Sequence, residues 1–236
     1  MNEEQDSITL RSLLRQQSWL SPAFPIGSYS YSHGIEWAVE AQQIQDRKSL
    51  VDWLEADLCY GSVRNEAIFF RHAWSAAIDE DHERLFGIAE LAAAFRGTSE
   101  FAVESSQQAT ACLRTLRVVW PDRLLDQLSY TLRERGISPS LSVVLGARSA
   151  RQGIASSLAL AAFLQSYIAN LVTAGVRLIP LGQTDGQLAV AELEETLIAA
   201  TEDLSECTID DLGSAAFMVE LASMSHETQY TRLFRS

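Results

Sequence analysis

The chain has 236 residues, of which 47% are hydrophobic and 21% are charged, so it has the composition of a globular protein and can bury a large core. Its 31 acidic residues outnumber its 18 basic residues, which gives a formal net charge of −13. Because such a surface repels a phosphate backbone and an anionic membrane, we expect neither nucleic acid nor a membrane as a partner.

The basic residues and the cysteines exclude further functions. Lys48 is the only lysine and no glycine precedes it at P-loop spacing, which argues against a nucleotide-binding loop of that class. The three cysteines are far apart, and the chain begins with an acidic stretch that does not resemble a signal peptide. We therefore expect a reduced, cytoplasmic protein.

Apolar residues recur at helical spacing along most of the chain, and no segment shows the strict alternation of a half-buried strand. Asp46 is placed to cap the helix that begins after it, and Thr184 opens a sequence typical of a capping box. The clearest apolar stripes are Leu10, Leu13, Leu14, Leu20; Leu50, Val51, Leu54, Leu58; Phe101, Ser105, Ala109, Cys112, Leu116, Trp120; Leu124, Leu125, Leu128, Leu132; and Val190, Leu193, Leu197, Ala200, Leu204. The sequence predicts an all-α protein, a single-domain helical bundle of about ten helices over residues 1–236.

Residues 152–176 contain no charged side chain and have the length of a membrane-spanning helix. Gln165, Ser166 and Asn170 lie near the middle of this segment, where polar groups are costly in lipid. We interpret it as a buried helix of the bundle.

Three segments break the helical pattern: residues 20–36, 179–187 and 226–236. The last of these, the C-terminal tail, carries two arginines and no acidic residue after Glu227, together with Tyr230, Leu233 and Phe234. Arginine and aromatic residues often anchor protein interfaces, whereas a terminus without a partner is usually polar. Two interpretations remain open: the tail packs on its own domain, or it docks into another protein.

Catalytic and metal-binding patterns are weak. Ser28, Ser30 and Ser32 lie beside His33, but the nucleophile elbow of serine hydrolases is absent. The four histidines are scattered, no C-x-x-C occurs, and the two His-Glu pairs do not complete H-E-x-x-H. We expect no enzyme activity, no bound metal and no cofactor, and keep an enzyme that uses the Ser/His-rich loop as an alternative.

The three irregular segments resemble signatures of the UreF family of urease accessory proteins, in the same order and at similar distances. The resemblance implies an all-α, non-catalytic, homodimeric protein that binds the UreD scaffold, also called UreH. Through that scaffold it would recruit and regulate the GTPase UreG, join apo-urease and promote nickel insertion. A nickel-holding metallochaperone is the alternative in this family context.

The resemblance also implies roles for individual residues. Tyr29 and Arg232 match positions associated with contact to the GTPase. The tail around Tyr230, Leu233 and Phe234 would become ordered on the UreD/UreH scaffold. We therefore expect partner binding, and no catalysis, at these five residues.

Overall fold

The computed structural model describes residues 3–236, with side chains from Thr9 onward. This part of the chain forms twelve α-helices and two short 3₁₀ turns and contains no strand, which confirms the all-α prediction. The helices are α1 (Glu3–Leu20), α2 (Ile35–Glu40), α3 (Arg47–Tyr60), α4 (Ser62–Ile78), α5 (His82–Ala94), α6 (Ser99–Val119), α7 (Arg123–Arg135), α8 (Leu141–Arg151), α9 (Ser156–Leu178), α10 (Gln183–Glu192), α11 (Glu194–Leu204) and α12 (Phe217–His226).

Local capping explains where several helices begin. Asp46 caps α3 as expected, because its carboxylate accepts the backbone N–H of Ser49 at 2.8 Å. The capping box expected at Thr184 is wrong: α10 begins earlier, and Asp185 accepts the N–H of Gly182 at 3.1 Å. The stripe from Val190 to Leu204 also crosses a boundary, since α10 ends before Leu193 and α11 begins after it.

Contacts between Cα atoms divide the chain into two compact units. Unit 1 comprises Met1–Ile26, Phe69–Phe95 and Ser105–Phe163, and unit 2 comprises Gly27–Ile68, Arg96–Glu104 and Leu164–Ser236. The chain passes between the units five times, so neither is a continuous segment. The assignment of one domain stays a prediction.

Unit 1 is built on close apolar packing around α8. Ten consecutive residues of that helix are buried, and a Cβ atom on Gly146 would overlap the backbone carbonyl of Phe70. The ring of Phe70 stacks on Phe163 with centroids 4.9 Å apart. The buried guanidinium of Arg148 lies 5.4 Å from the ring of Trp19.

Helix α1 has an unusual orientation in unit 1. Its polar residues Ser12 and Gln16 are buried, whereas Leu10, Leu13 and Leu14 are exposed. The Ser12 hydroxyl donates to the backbone carbonyl of Gln152 at 2.7 Å, which satisfies this polar group. The leucine stripe thus predicts the helix correctly, but it does not mark the buried face.

Unit 2 packs α2 against α12 through a glycine. Gly34 has a φ of +80°, and a Cβ atom there would lie 2.9 Å from the backbone nitrogen of Ser223. Only glycine combines this left-handed conformation with so close an approach. The position therefore fixes the distance between the irregular N-terminal loop of unit 2 and α12.

By length and composition, α9 is the one helix of the described chain that could cross a membrane, and half of its most apolar window is buried inside the protein. The helix begins at Ser156 and ends at Leu178, somewhat later than the charge-free segment. Burial on this scale is also found in core helices of globular proteins.

Candidate partner-binding site

The C-terminal tail lies on unit 2, alongside the loop at residues 28–32. The backbone N–H of Arg235 donates to the carbonyl of Ser30 at 2.8 Å. The backbone N–H and the hydroxyl of Ser32 donate to the Ser236 carbonyl at 2.7 Å and 2.5 Å. These contacts connect two of the three segments that the sequence singles out.

Glu36, at the beginning of α2, binds the backbone of the tail. One carboxylate oxygen accepts the backbone N–H of Leu233 at 2.6 Å, and the other accepts that of Phe234 at 2.8 Å. The second oxygen also lies 3.1 Å from Nε2 of His226. Hydrogen bonds of this kind to an ionised acceptor are stronger than neutral ones, so the backbone at these two residues is fixed in position.

His226, at the end of α12, links Glu36 to Glu100. The histidine is fully buried, and its Nδ1 lies 2.9 Å and 3.0 Å from the two carboxylate oxygens of Glu100. Arg232 of the tail donates to Glu100 at 3.2 Å. Burial raises the pKa of Glu100, and the hydrogen bond and charge of His226 and the charge of Arg232 oppose this rise.

A second buried group of charges surrounds His33, which has a φ of +56°. Its Nδ1 lies 3.1 Å from Glu104 and its Nε2 lies 3.6 Å from Asp57. Burial alone would lower the pKa of His33, but the charge and hydrogen bond of Glu104 and the charge of Asp57 raise it above its usual value. The hydroxyl of Ser236 donates to Glu104 at 3.0 Å, so this group also contacts the tail.

The hydroxyl that meets His33 belongs to Ser62, whose Oγ lies 2.6 Å from Nε2. Ser62 donates its hydroxyl proton to Asp57 at 3.0 Å, so Nε2 of the ring is the donor to Ser62. Because Nδ1 lies 3.1 Å from the carboxylate of Glu104, neither ring nitrogen is left to accept a proton from a serine nucleophile as a general base. This geometry gives no support to the Ser/His enzyme.

Tyr29 is presented by the short 3₁₀ turn Ser28–Ser30, which follows Gly27 in a left-handed conformation. The side chain of Tyr29 is 68% exposed, while its backbone carbonyl accepts a hydrogen bond from Arg177 at 2.8 Å. The guanidinium of Arg177 also lies 4.4 Å from the ring centroid of Phe234. Arg177 thus supports both the turn and the tail.

The five residues expected to bind partners are placed differently within unit 2. Tyr29, Tyr230 and Leu233 expose their side chains, and Arg232 is 41% exposed although it pairs with Glu100. Phe234 is buried against its own unit. The tail therefore packs on its own unit and still exposes part of its surface, so its docking into a partner stays a prediction.

The sequence pattern did not predict the exposed apolar stripe on α12. Phe217, Met218, Leu221 and Met224 lie on the outer face of this helix and are 46–66% exposed. The inner face of α12 is also largely apolar, with Val219 and Ala222 buried, so no polar face marked the helix as a surface element. Apolar residues on both faces of a ten-residue helix are the signal that could have found this patch.

Among the residues whose side chains are described, no group of three or more histidine, cysteine or acidic side chains is placed to hold a metal ion. The two buried histidines each face carboxylates. Their ring nitrogens already make hydrogen bonds to Ser62 at the start of α4 and to carboxylates of α2 and α6.

Fold and site together define an all-α protein whose C-terminal tail is attached to unit 2 by buried ion pairs. The tail exposes aromatic and basic side chains. A sequence model of the UreF family matches residues 44–194. The urease accessory protein UreF of Rhodopseudomonas palustris is 44% identical over 225 residues, which cover 95% of this chain and 91% of that protein. The protein of the same name from Granulibacter bethesdensis is 44% identical and covers 95% of this chain and 94% of its own length. The chain belongs to the UreF family of urease accessory proteins and takes part in urease maturation as an accessory protein, not as a catalytic enzyme.

Proposed function

We propose that this chain, together with a UreD/UreH scaffold, recruits and regulates the GTPase UreG for nickel insertion into apo-urease. The observation that carries the proposal is the tail of unit 2, whose backbone is fixed by Glu36 while Tyr230 and Leu233 remain exposed. A preorganised segment loses less conformational entropy on binding than a flexible one. The exposed side chains are therefore poised to contact another protein.

The GTPase contact is assigned to Tyr29 and Arg232. Both side chains are exposed at least in part; Arg232 lies in the tail, and Tyr29 lies in the turn that the tail contacts through Ser30. A guanidinium can make bidentate hydrogen bonds with a carboxylate of a partner, and a tyrosine ring supplies apolar area with a polar end. The family resemblance supports these two positions, and their exposure is consistent with it.

The scaffold contact is assigned to Tyr230 and Leu233 and is extended to the exposed face of α12. That face and these two residues expose large apolar side chains on unit 2. The four side chains on that face form one helical stripe, and exposed apolar residues grouped in such a stripe mark surfaces that bind other proteins. Phe234 contributes by holding the tail in place, since its ring is buried beside Arg177.

The remaining partners rest on the family alone. We propose a homodimer in the cytoplasm that joins apo-urease through the scaffold, with no cofactor of its own. The net charge of −13 is consistent with the absence of nucleic acid and of an anionic membrane from this list.

Reconstitution tests the proposal. Apo-urease, scaffold, UreG, GTP and nickel are combined with or without this chain, and urease activity and GTP hydrolysis are followed. We expect activation to require the chain. Equal activation without the chain would contradict the proposal, and tight nickel binding to the chain alone in calorimetry would favour the metallochaperone.

A matched pair of double variants locates the scaffold contact. Tyr230→Ala with Leu233→Ala should weaken co-purification with the scaffold at least about tenfold, because two exposed anchors are removed. Tyr130→Ala with Ile78→Ala removes an exposed tyrosine and an exposed aliphatic side chain from unit 1, although these two are less exposed, and should have no effect. Equal binding by both variants would place the scaffold elsewhere.

A further inference from the structure

Unit 1 contains a groove between α6 and α7 that the proposed function does not use. Its cavity volume is about 620 Å³, and Leu113, Leu132, Ile137 and Pro139 provide an apolar floor. A second cavity of about 360 Å³ adjoins it through Thr110, Arg114 and Pro139, which line both cavities, and extends the groove toward Ser106.

The rim of the groove is basic, although the whole chain is acidic. Arg114, Arg117 and Arg133 line it, with Asp126 as the only acidic residue of the lining. Asp126 pairs with Arg117 at 2.5 Å. Within the described part of the chain, Arg114 and Arg133 have no carboxylate at ion-pair distance, and Arg133 contacts the ring of Tyr130 instead.

The dimensions indicate how long an occupant can be. From Ser106 to Val118, α6 runs along the groove for ~18 Å at 1.5 Å per residue. An extended peptide covers that length with about six residues. Successive side chains of such a peptide point to opposite sides, so one set can reach the apolar floor while the other reaches the arginines.

We propose that this groove binds a short acidic segment of a partner protein, in extended conformation, with alternating aliphatic and carboxylate side chains. The aliphatic side chains cover the floor, and the carboxylates pair with Arg114 and Arg133. Two guanidiniums without a carboxylate partner, on a chain of net charge −13, suit a few carboxylates better than a polyphosphate backbone. Charge complementarity selects the segment, and the apolar floor selects against a fully polar one.

Fluorescence anisotropy tests the proposal with a rhodamine-labelled hexapeptide in which leucine alternates with aspartate or glutamate. We expect saturable binding below about 1 mM that weakens with salt, and at least about tenfold weaker binding when asparagine and glutamine replace the acids. Arg114→Ala with Arg133→Ala should weaken binding at least about tenfold. Arg123→Ala, an exposed arginine of α7 outside the groove, should change it less than about twofold.

A variant that fills the groove without changing its charge separates shape from charge. Thr110 is exposed and lines both cavities, and Thr110→Trp should reduce peptide binding at least about tenfold with an unchanged helical circular dichroism signal. Equal binding by Thr110→Trp would overturn the groove as the site. Failure of the wild type to saturate by 1 mM, or tighter binding of single-stranded oligothymidylate with the same arginine dependence, would overturn the acidic segment as its occupant.

Discussion

The two compact units of this chain differ in where they place their charges. Unit 1 contains eleven basic and eleven acidic residues, whereas unit 2 contains seven basic and twenty acidic residues, so the net charge of −13 belongs to unit 2. Among described side chains, Arg148 is the only buried acidic, basic or histidine residue of unit 1. The buried acidic, basic and histidine residues of unit 2 are His33, Glu36, Asp57, Glu66, Glu100, Glu104 and His226.

This difference shows two ways of fixing structure. Unit 1 depends on close apolar packing, which supplies stability with little directional preference. Unit 2 buries charged hydrogen-bond partners, which add little net stability but are costly to disrupt one at a time. Such partners act at defined distances and angles, so they suit a unit that has to hold a loop and a tail in one arrangement.

The largest expected effect on stability comes from a substitution that disrupts the packing of unit 1. Gly146→Val places side-chain atoms against the backbone carbonyl of Phe70, which cannot rotate away, so we expect a loss of about 4 kcal/mol in the free energy of unfolding. Urea denaturation followed by circular dichroism measures it. Gly87→Val in α5 is the control, because a Cβ atom there meets nothing within 4 Å, and it should change stability by less than about 0.5 kcal/mol. Similar losses for both variants would show that close packing at α8 is not decisive.

The next largest effect comes from a substitution that disrupts the buried network of Glu36, His226 and Glu100 in unit 2. Glu36→Ala removes the acceptor for two tail N–H groups and the partner of His226, so we expect a loss of about 3 kcal/mol. Trypsin should then cleave after Arg232 and Arg235 faster than in the wild type. Glu36→Gln keeps one oxygen acceptor and should be affected less. An unchanged cleavage rate in Glu36→Ala would show that other contacts hold the tail.

A smaller effect tests the charge on His33. Because its folded pKa is raised, its charge stabilises unit 2 fully below the unfolded value of about 6.5, and this contribution is lost as the pH rises through the folded pKa. His33→Gln should cost about 2 kcal/mol at pH 6 and less at pH 9. Urea denaturation at both pH values gives the comparison. A cost that grows with pH would mean that the ring is neutral between Asp57 and Glu104.

The sequence predicts helices better than it predicts burial. Asp46 marks the start of α3 because a cap acts within one turn, and helical spacing identifies α1. The exposure of Leu10 and Leu13 could not be predicted, because burial depends on which surface the rest of unit 1 offers to α1. Composition identified the tail, but it could not distinguish exposed Tyr230 from buried Phe234.

The buried network shows the same limit more strongly. Glu36 and His226 are 190 positions apart in the chain, and His226 and Glu100 are 126 apart. Local spacing carries no information about contacts between such distant positions. The adjacent pair His226-Glu227 does not indicate these contacts either, since the carboxylates that His226 contacts come from α2 and α6.

The smallest effect on stability is expected at Arg232. This arginine can be compared with an arginine of unit 1 that is exposed to a similar extent. Arg232 is 41% exposed and pairs with Glu100 at 3.2 Å, while Arg151 of unit 1 is 39% exposed and pairs with Asp122 at 3.3 Å. Because solvent screens both ion pairs, Arg232→Ala and Arg151→Ala should each cost less than about 1 kcal/mol, measured by urea denaturation. Only Arg232→Ala should weaken recruitment of UreG to the complex with the scaffold and lower urease activation, at least about tenfold in binding. A loss of several kcal/mol in the free energy of unfolding of Arg232→Ala would show that the arginine is a structural part of unit 2. Equal recruitment of UreG by both variants would show that Arg232 is not part of the GTPase contact.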